Sequence, residues 1–239
     1  MKLKHTLPLL LLSSATVHAA SLVTGGHIDF PAFGYVSAAD VLADPTLTQG
    51  FEPHIHNEGG ADGAIIDGVR VEIDSEYEPN ELILVGKKSS TIAVNSTTYF
   101  WLPETEQEAA AQGVPFVGIG LEELTASDWA DGTFTISLLS IAGPGDLLLW
   151  QDDGFGGTSI FLDTAHSTNS FTLPAGSHTH LNWGFTQEGV YDLEFGISGT
   201  HMDDGVQNGS ATYTFAIPEP SAALLSAIGA LALWRRRRA

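Results

Sequence analysis

The patterning of this chain predicts an all-β fold, an antiparallel sandwich of two packed sheets of jelly-roll or immunoglobulin-like type. Three observations predict it: several segments alternate apolar and polar residues with period two, turn-forming clusters separate them, and one short stretch alone has helical character. The clearest alternation sets Tyr191, Leu193, Phe195 and Ile197 against Asp192, Glu194, Gly196 and Ser198. Phe134, Ile136 and Leu138 alternate with Thr133, Thr135 and Ser137, and Val69, Val71 and Ile73 with Arg70, Glu72 and Asp74. Successive side chains on a strand point to opposite faces, so each segment reads as half-buried. Residues 81–85, 97–102, 147–150, 158–162 and 212–217 follow the same pattern, and Glu78-Pro79-Asn80, Gly143-Pro144-Gly145 and Asp152-Asp153-Gly154 supply turns. The helix is expected to have Pro103 in its first turn, Glu104, Glu106 and Glu108 near its positive end, Ala109 to Ala111 behind them, and Gly113 as its stop. Trp101, Trp150 and Trp183 belong to apolar strand faces, whereas Trp129 sits among polar residues between Asp128 and Asp131, where it could stack on a sugar.

The two ends of the chain read as addresses. Residues 1–20 combine Lys2 and Lys4, an apolar stretch from Leu7 to Leu12 and small residues around Ala19, the layout of a secretory signal peptide. The other end has Pro218-Glu219-Pro220, an apolar run from Ser221 to Trp234, and Arg235, Arg236, Arg237 and Arg238. Fourteen residues make about 21 Å of helix against a hydrocarbon core of about 30 Å, short for a stable transmembrane helix. The arginines stay on the cytoplasmic side, which puts everything before Pro218 outside. The segment Ile217 to Ser221, the hydrophobic helix and the Arg cluster together resemble the PEP-CTERM sorting signal of Gram-negative bacteria. The resemblance implies processing by an exosortase and delivery, after transient membrane anchoring, to the cell surface, the outer envelope or the extracellular polymer. Between the ends, residues 21–217 form one domain.

Cysteine is absent, which excludes disulfides and thiol catalysis. Six of the nine basic residues lie in the two ends, leaving Arg70, Lys87 and Lys88 in the body against all the acids except Glu219. So acidic a body repels nucleic acid and anionic lipid and concentrates cations at its surface.

Seven histidines lie in the body, and five fall in pairs of spacing two: His27-Ile28-Asp29, His54-Ile55-His56 and His178-Thr179-His180. On a strand, residues two apart share a face, so each pair offers two metal-competent side chains side by side. In the third, Leu181, Trp183 and Phe185 mark the core face, which places the imidazoles on the polar face beside Asn182. Nitrogen and carboxylate ligands in three or four positions suit zinc or manganese. The candidate ligands are His27, Asp29, His54, His56, His178 and His180. His166 and His201 read as surface residues, with His201 an extra ligand candidate through Asp203 and Asp204.

A second resemblance is carried by Gly26-His27-Ile28-Asp29, Leu102-Pro103-Glu104-Thr105, Val114-Pro115-Phe116-Val117-Gly118, Leu149-Trp150-Gln151 and, above all, the block from Ser177 to Ser198. Together they resemble the choice-of-anchor M domain, similar to actinobacterial surface-anchored repeats. That resemblance implies a surface role connected with metal and no demonstrated reaction.

Other constellations point elsewhere. The Asp152-Asp153-Gly154 and Asp203-Asp204-Gly205 segments lack the spacing of a calcium loop and read as turns. Glu122-Glu123 and the glutamates at 104, 106 and 108 offer acid and base for glycoside cleavage, though a solvated helix end explains the latter. No serine elbow, zincin helix or phosphate loop is present. The chain thus reads as an exported, non-enzymatic envelope or matrix protein that binds a divalent transition metal. The alternatives are a module binding extracellular polysaccharide and a metal-dependent hydrolase.

Overall fold

The computed structural model describes residues 20–154 and 157–218. Most of the expected signal peptide, through residue 19, and the expected sorting segment from residue 219, with Glu219, Pro220 and the four arginines, lie outside the described residues. Among the described residues, no helix is long and apolar enough to cross a membrane.

The body is all-β with two short helices. The N-terminal half contains β1 (Ser21–Gly25), β2 (His27–Val36), α1 (Ala38–Ala43), β3 (Gly50–Asn57), β4 (Ile65–Ile66), β5 (Val69–Arg70), β6 (Ser75–Tyr77), β7 (Leu82–Val85), β8 (Thr91–Val94), β9 (Thr97–Leu102) and α2 (Glu106–Gln112). The C-terminal half contains β10 (Phe116–Gly120), β11 (Thr133–Ala142), β12 (Leu147–Asp152), β13 (Thr158–Asp163), β14 (Ser170–Pro174), β15 (His178–His180), β16 (Asn182–Phe185), β17 (Gly189–His201) and β18 (Gly205–Ile217).

Hydrogen bonding joins these strands into three sheets, where the sequence predicts two. The largest runs β14-β11-β17-β18-β7-β1-β4-β5, a second β15-β10-β2-β3-β6 and a third β13-β12-β16-β9-β8. Three pairs, β1 with β7, β7 with β18 and β2 with β10, are parallel. Alternation reports which face of a strand is buried and says nothing of its partner's direction, so these departures from antiparallel pairing leave no trace in the sequence.

The sheets share one core. Phe215 of β18 meets Phe30 of the second sheet edge-on at 5.1 Å and Trp183 of the third in a stacked arrangement, also at 5.1 Å. The eight-stranded sheet therefore forms one layer, and the two smaller sheets face it side by side. Tyr191, Leu193, Phe195 and Ile197, and likewise Phe134, Ile136 and Leu138, are buried as their alternation predicts. Trp183 is in this core, Trp150 packs with Tyr99 and Leu148 in a small cluster on the third sheet, and Trp101 is partly buried against that cluster.

Three local expectations change. The alternation from Val69 to Ile73 is not a half-buried strand, since Val69 is 66% and Ile73 77% exposed and only Val69–Arg70 pairs, at a sheet edge. Helix α2 starts later than predicted, with Thr105 accepting from the Glu108 N–H as N-cap, so Pro103 precedes the cap; Gly113 stops the helix at φ +65°. Helix α1 is unforeseen. Ser37 and Asp40 cap it reciprocally, but six residues with none buried leave no apolar period to read.

Truncating Phe215 to alanine removes the ring that all three sheets share. The expected loss is about 3–5 kcal/mol of unfolding free energy. Urea denaturation of the full chain measures it; a loss under about 1 kcal/mol would mean that the layers do not depend on this contact.

Candidate metal centre

The second sheet brings the histidine pairs to one face. Residues opposite one another on adjacent strands share a face. One row across its five strands reads His180, Gly118, Asp29, His56, Glu76, and the next reads His178, Gly120, Ala32, His54. His27 pairs with Phe116 at the near end. Asp29 and Ala32 are three residues apart, which on a regular strand would put them on opposite faces. A bulge in β2 between them, opposite the single residue Ile55 of β3, resets the alternation and keeps both rows on the site face. The other face belongs to the core through Ile28, Ile55, Val117 and Ile119, all fully buried.

At the centre is Asp29. It is fully buried, and neither carboxylate oxygen accepts an aligned hydrogen bond. Around Oδ1 stand Nε2 of His178 at 2.9 Å and Nε2 of His27 at 3.8 Å, and these two nitrogens are 3.1 Å apart. Four donors in a tetrahedron around an ion at about 2.0–2.1 Å lie about 3.3 Å from one another, and this triangle brackets that edge. His180 joins the two imidazoles, since one ligand atom from each of His27, His178 and His180 lies within 4.8 Å of the other two.

Backbone and packing hold the imidazoles in place. Nδ1 of His180 is 3.0 Å from the Val117 carbonyl, which can only accept, so Nδ1 carries the hydrogen and Nε2 the lone pair. Phe116 stacks on the His180 ring at 3.7 Å and an interplanar angle of 9°, and leans on His27 at 5.0 Å. The floor is bare backbone. A Cβ on Gly118 would collide with Asp29 Oδ1 and stand 2.8 Å from His178 Nε2, and one on Gly120 would stand 2.9 Å from both Asp29 Oδ2 and Glu122 Oε2.

Two glutamates close the outer side. Nδ1 of His178 is 2.6 Å from Glu122 Oε1 and 2.8 Å from Glu58 Oε1. Asp29, Glu58, Glu122 and His178 together offer oxygen and nitrogen atoms within 4.8 Å of one another. The sequence reading considers Glu122 only with Glu123 and does not single out Glu58. The signal was present, because Glu58 continues the series His54, His56 and Glu122 the series Gly118, Gly120, one residue past the end of β3 and two past the end of β10.

The electrostatics divide the imidazoles. Burial, reinforced by the charges of His27 and His178, pushes His180 down to about 3, so it is neutral with its lone pair available. Burial likewise lowers His27, against the pull of Asp29 and Glu58. For His178, burial is outweighed by the carboxylates of Asp29 and Glu122, which raise it to about 10. Without metal, His178 is therefore an imidazolium among carboxylates, and an ion that takes its Nε2 must displace a proton.

His56 stands at the margin, with Nδ1 3.9 Å from Asp29 Oδ2 and Nε2 2.9 Å from Asp74. His54 lies outside the His27 cluster, with Nε2 3.2 Å from Glu123. Asn182 does not stand exposed beside the imidazoles. The chain passes from the second sheet to the third at Leu181, and Asn182 is buried, accepting from Trp101 Nε1 at 2.7 Å and from the Glu104 N–H at 3.1 Å. His201 is buried too, between Tyr35 and Trp129, with Nδ1 accepting from the N–H groups of Asp203 and Asp204. Trp129 is 4% exposed and stacks on Phe51, so it offers no platform for a sugar. His166 is on the surface, paired with Asp163. No family model, curated protein or solved structure matches this chain.

Two outcomes follow from this geometry. In chelator, His178 contributes stability fully below its ordinary pKa of 6.5, and that contribution is lost as pH rises towards about 10, because its folded value lies above its unfolded one. Unfolding free energy against pH should fall across that window, and His178→Ala should flatten the fall; an unchanged slope would contradict the imidazolium. Gly118→Ala should weaken zinc uptake at least about tenfold with the circular dichroism of the sheets intact, since its methyl occupies the space of Asp29 Oδ1.

Proposed function

We propose that this protein is an exported envelope or matrix protein whose body binds a divalent transition metal, with zinc the best fit, through His27, Asp29, His178 and His180. One observation carries the reading: the Asp29 carboxylate is fully buried with no aligned hydrogen bond to either oxygen, while two imidazole nitrogens stand 2.9 and 3.8 Å from Oδ1. A buried carboxylate is costly unless positive charge is supplied beside it, and a cation shared with the imidazoles supplies that charge in place of the His178 proton. Three imidazoles with one carboxylate favour zinc over manganese, which prefers oxygen-rich sets.

Binding rather than turnover is supported by the donor set. Three imidazole nitrogens with Asp29 Oδ1 beside two of them supply four donors, enough for a closed tetrahedral site, whereas catalytic zinc keeps a position open for water. Glu58 and Glu122 then act on the ring of His178, orienting it through Nδ1. Delivery is read from the two ends: the leader, and the PEP-CTERM-like tail handed to an exosortase. The resemblance of the body to the choice-of-anchor M domain supports a surface role connected with metal. Trp129, being buried, lends no support to a polysaccharide module.

Metal analysis of the full chain after equilibration with zinc at low free concentration tests this. One tightly held ion per chain is expected, lost in the His178→Ala, His180→Ala double variant and in Asp29→Asn. Undiminished zinc in the double variant would remove the assignment.

A further inference from the structure

We propose that the same sheet face holds a second, weaker site for a divalent transition cation, built from His54, Glu76 and Glu123. It uses none of the ligands of the first site and does not depend on it.

A ligand atom from each of the three residues lies within 4.8 Å of the other two. His54 is 8% exposed, and its Nδ1 is 3.0 Å from the carbonyl of Glu52. A carbonyl only accepts, so Nδ1 bears the hydrogen and Nε2 the lone pair. That Nε2 is buried, has no hydrogen-bond partner and lies 3.2 Å from Glu123 Oε1. A lone pair held against an anionic oxygen is repulsive, and a cation accepting from both atoms turns the repulsion into two bonds.

The backbone is relieved here as it is under the first site. Glu123 Oε2 lies over Gly34, where a Cβ would stand 2.5 Å from it, and Gly34 pairs with Glu52 beside His54. Glu76 comes from β6 at the sheet edge, opposite His56. One imidazole with two carboxylates, of which Glu123 is 46% exposed, makes a softer trap than three imidazoles around a buried aspartate. Its ligands suit manganese as well as zinc, and the strongly acidic body keeps such ions concentrated nearby.

A proton on Nε2 would also relieve the repulsion, and the experiment separates the two. The full chain is stripped with chelator, then dialysed against low and high free zinc, and bound metal is counted. Two ions per chain are expected at high free zinc and one at low. The His54→Gln, Glu123→Gln variant should keep the tight ion and lose the weak one, while the His178→Ala, His180→Ala variant should do the reverse. If the first of these fails to fold, Glu76→Gln with Glu123→Gln, which alters only carboxylates, should weaken the second ion at least about tenfold. A single ion at high free zinc, with the His54 ring nitrogens titrating as an imidazolium by NMR, would overturn the proposal. So would a second ion indifferent to both sets of changes. Loss of the tight ion alone would count against the first site and leave this one standing.

Discussion

The organising constraint of this molecule is a carboxylate buried in the middle of a sheet. Asp29 lies between two strands that supply no donor to it, above a floor of glycines, with imidazoles leaning in from the sides. Burying an uncompensated charge costs several kcal/mol, more than most single contacts return. The arrangement makes physical sense only if positive charge is supplied locally, by the proton of His178 without metal and by an ion with it. Gly118 and Gly120 admit the carboxylates, the β2 bulge aligns the two rows, and Phe116 and the Val117 carbonyl fix the angle of His180.

The remainder of the fold makes that placement rigid. With no cysteine in the chain, order comes from burial, and the shared aromatic core of Phe30, Trp183, Phe185 and Phe215 ties the site-bearing sheet to the large one. The site rides on strands, not on loops, apart from Glu58 and Glu122, which follow the ends of β3 and β10. That division matches a site whose inner donors are fixed and whose outer carboxylates adjust to the ring they orient.

Much of this was legible in the sequence, and the limits are physical ones. Period-two alternation identified β9, β11, β12, β13 and β17, and the spacing of His27 with Asp29 and of His178 with His180 placed each pair on one polar face. Convergence was not legible, because β2 and β10 pair in parallel and β10 pairs with β15 across a wide separation in the chain, and non-local register leaves no local mark. Trp129 and His201 were misjudged for the same reason. Each sits among polar neighbours, yet they bridge to one another and to Tyr35 in three dimensions. Asn182 looked exposed because the change of sheet at Leu181 is invisible in an unbroken alternation.

X-ray absorption at the zinc edge, on the full chain loaded with one equivalent, addresses the central claim most directly. A four-coordinate shell at about 2.0–2.1 Å with the multiple-scattering signature of three imidazoles is expected, together with one oxygen that Asp29→Asn alters. A shell of oxygen atoms without imidazole scattering would contradict it.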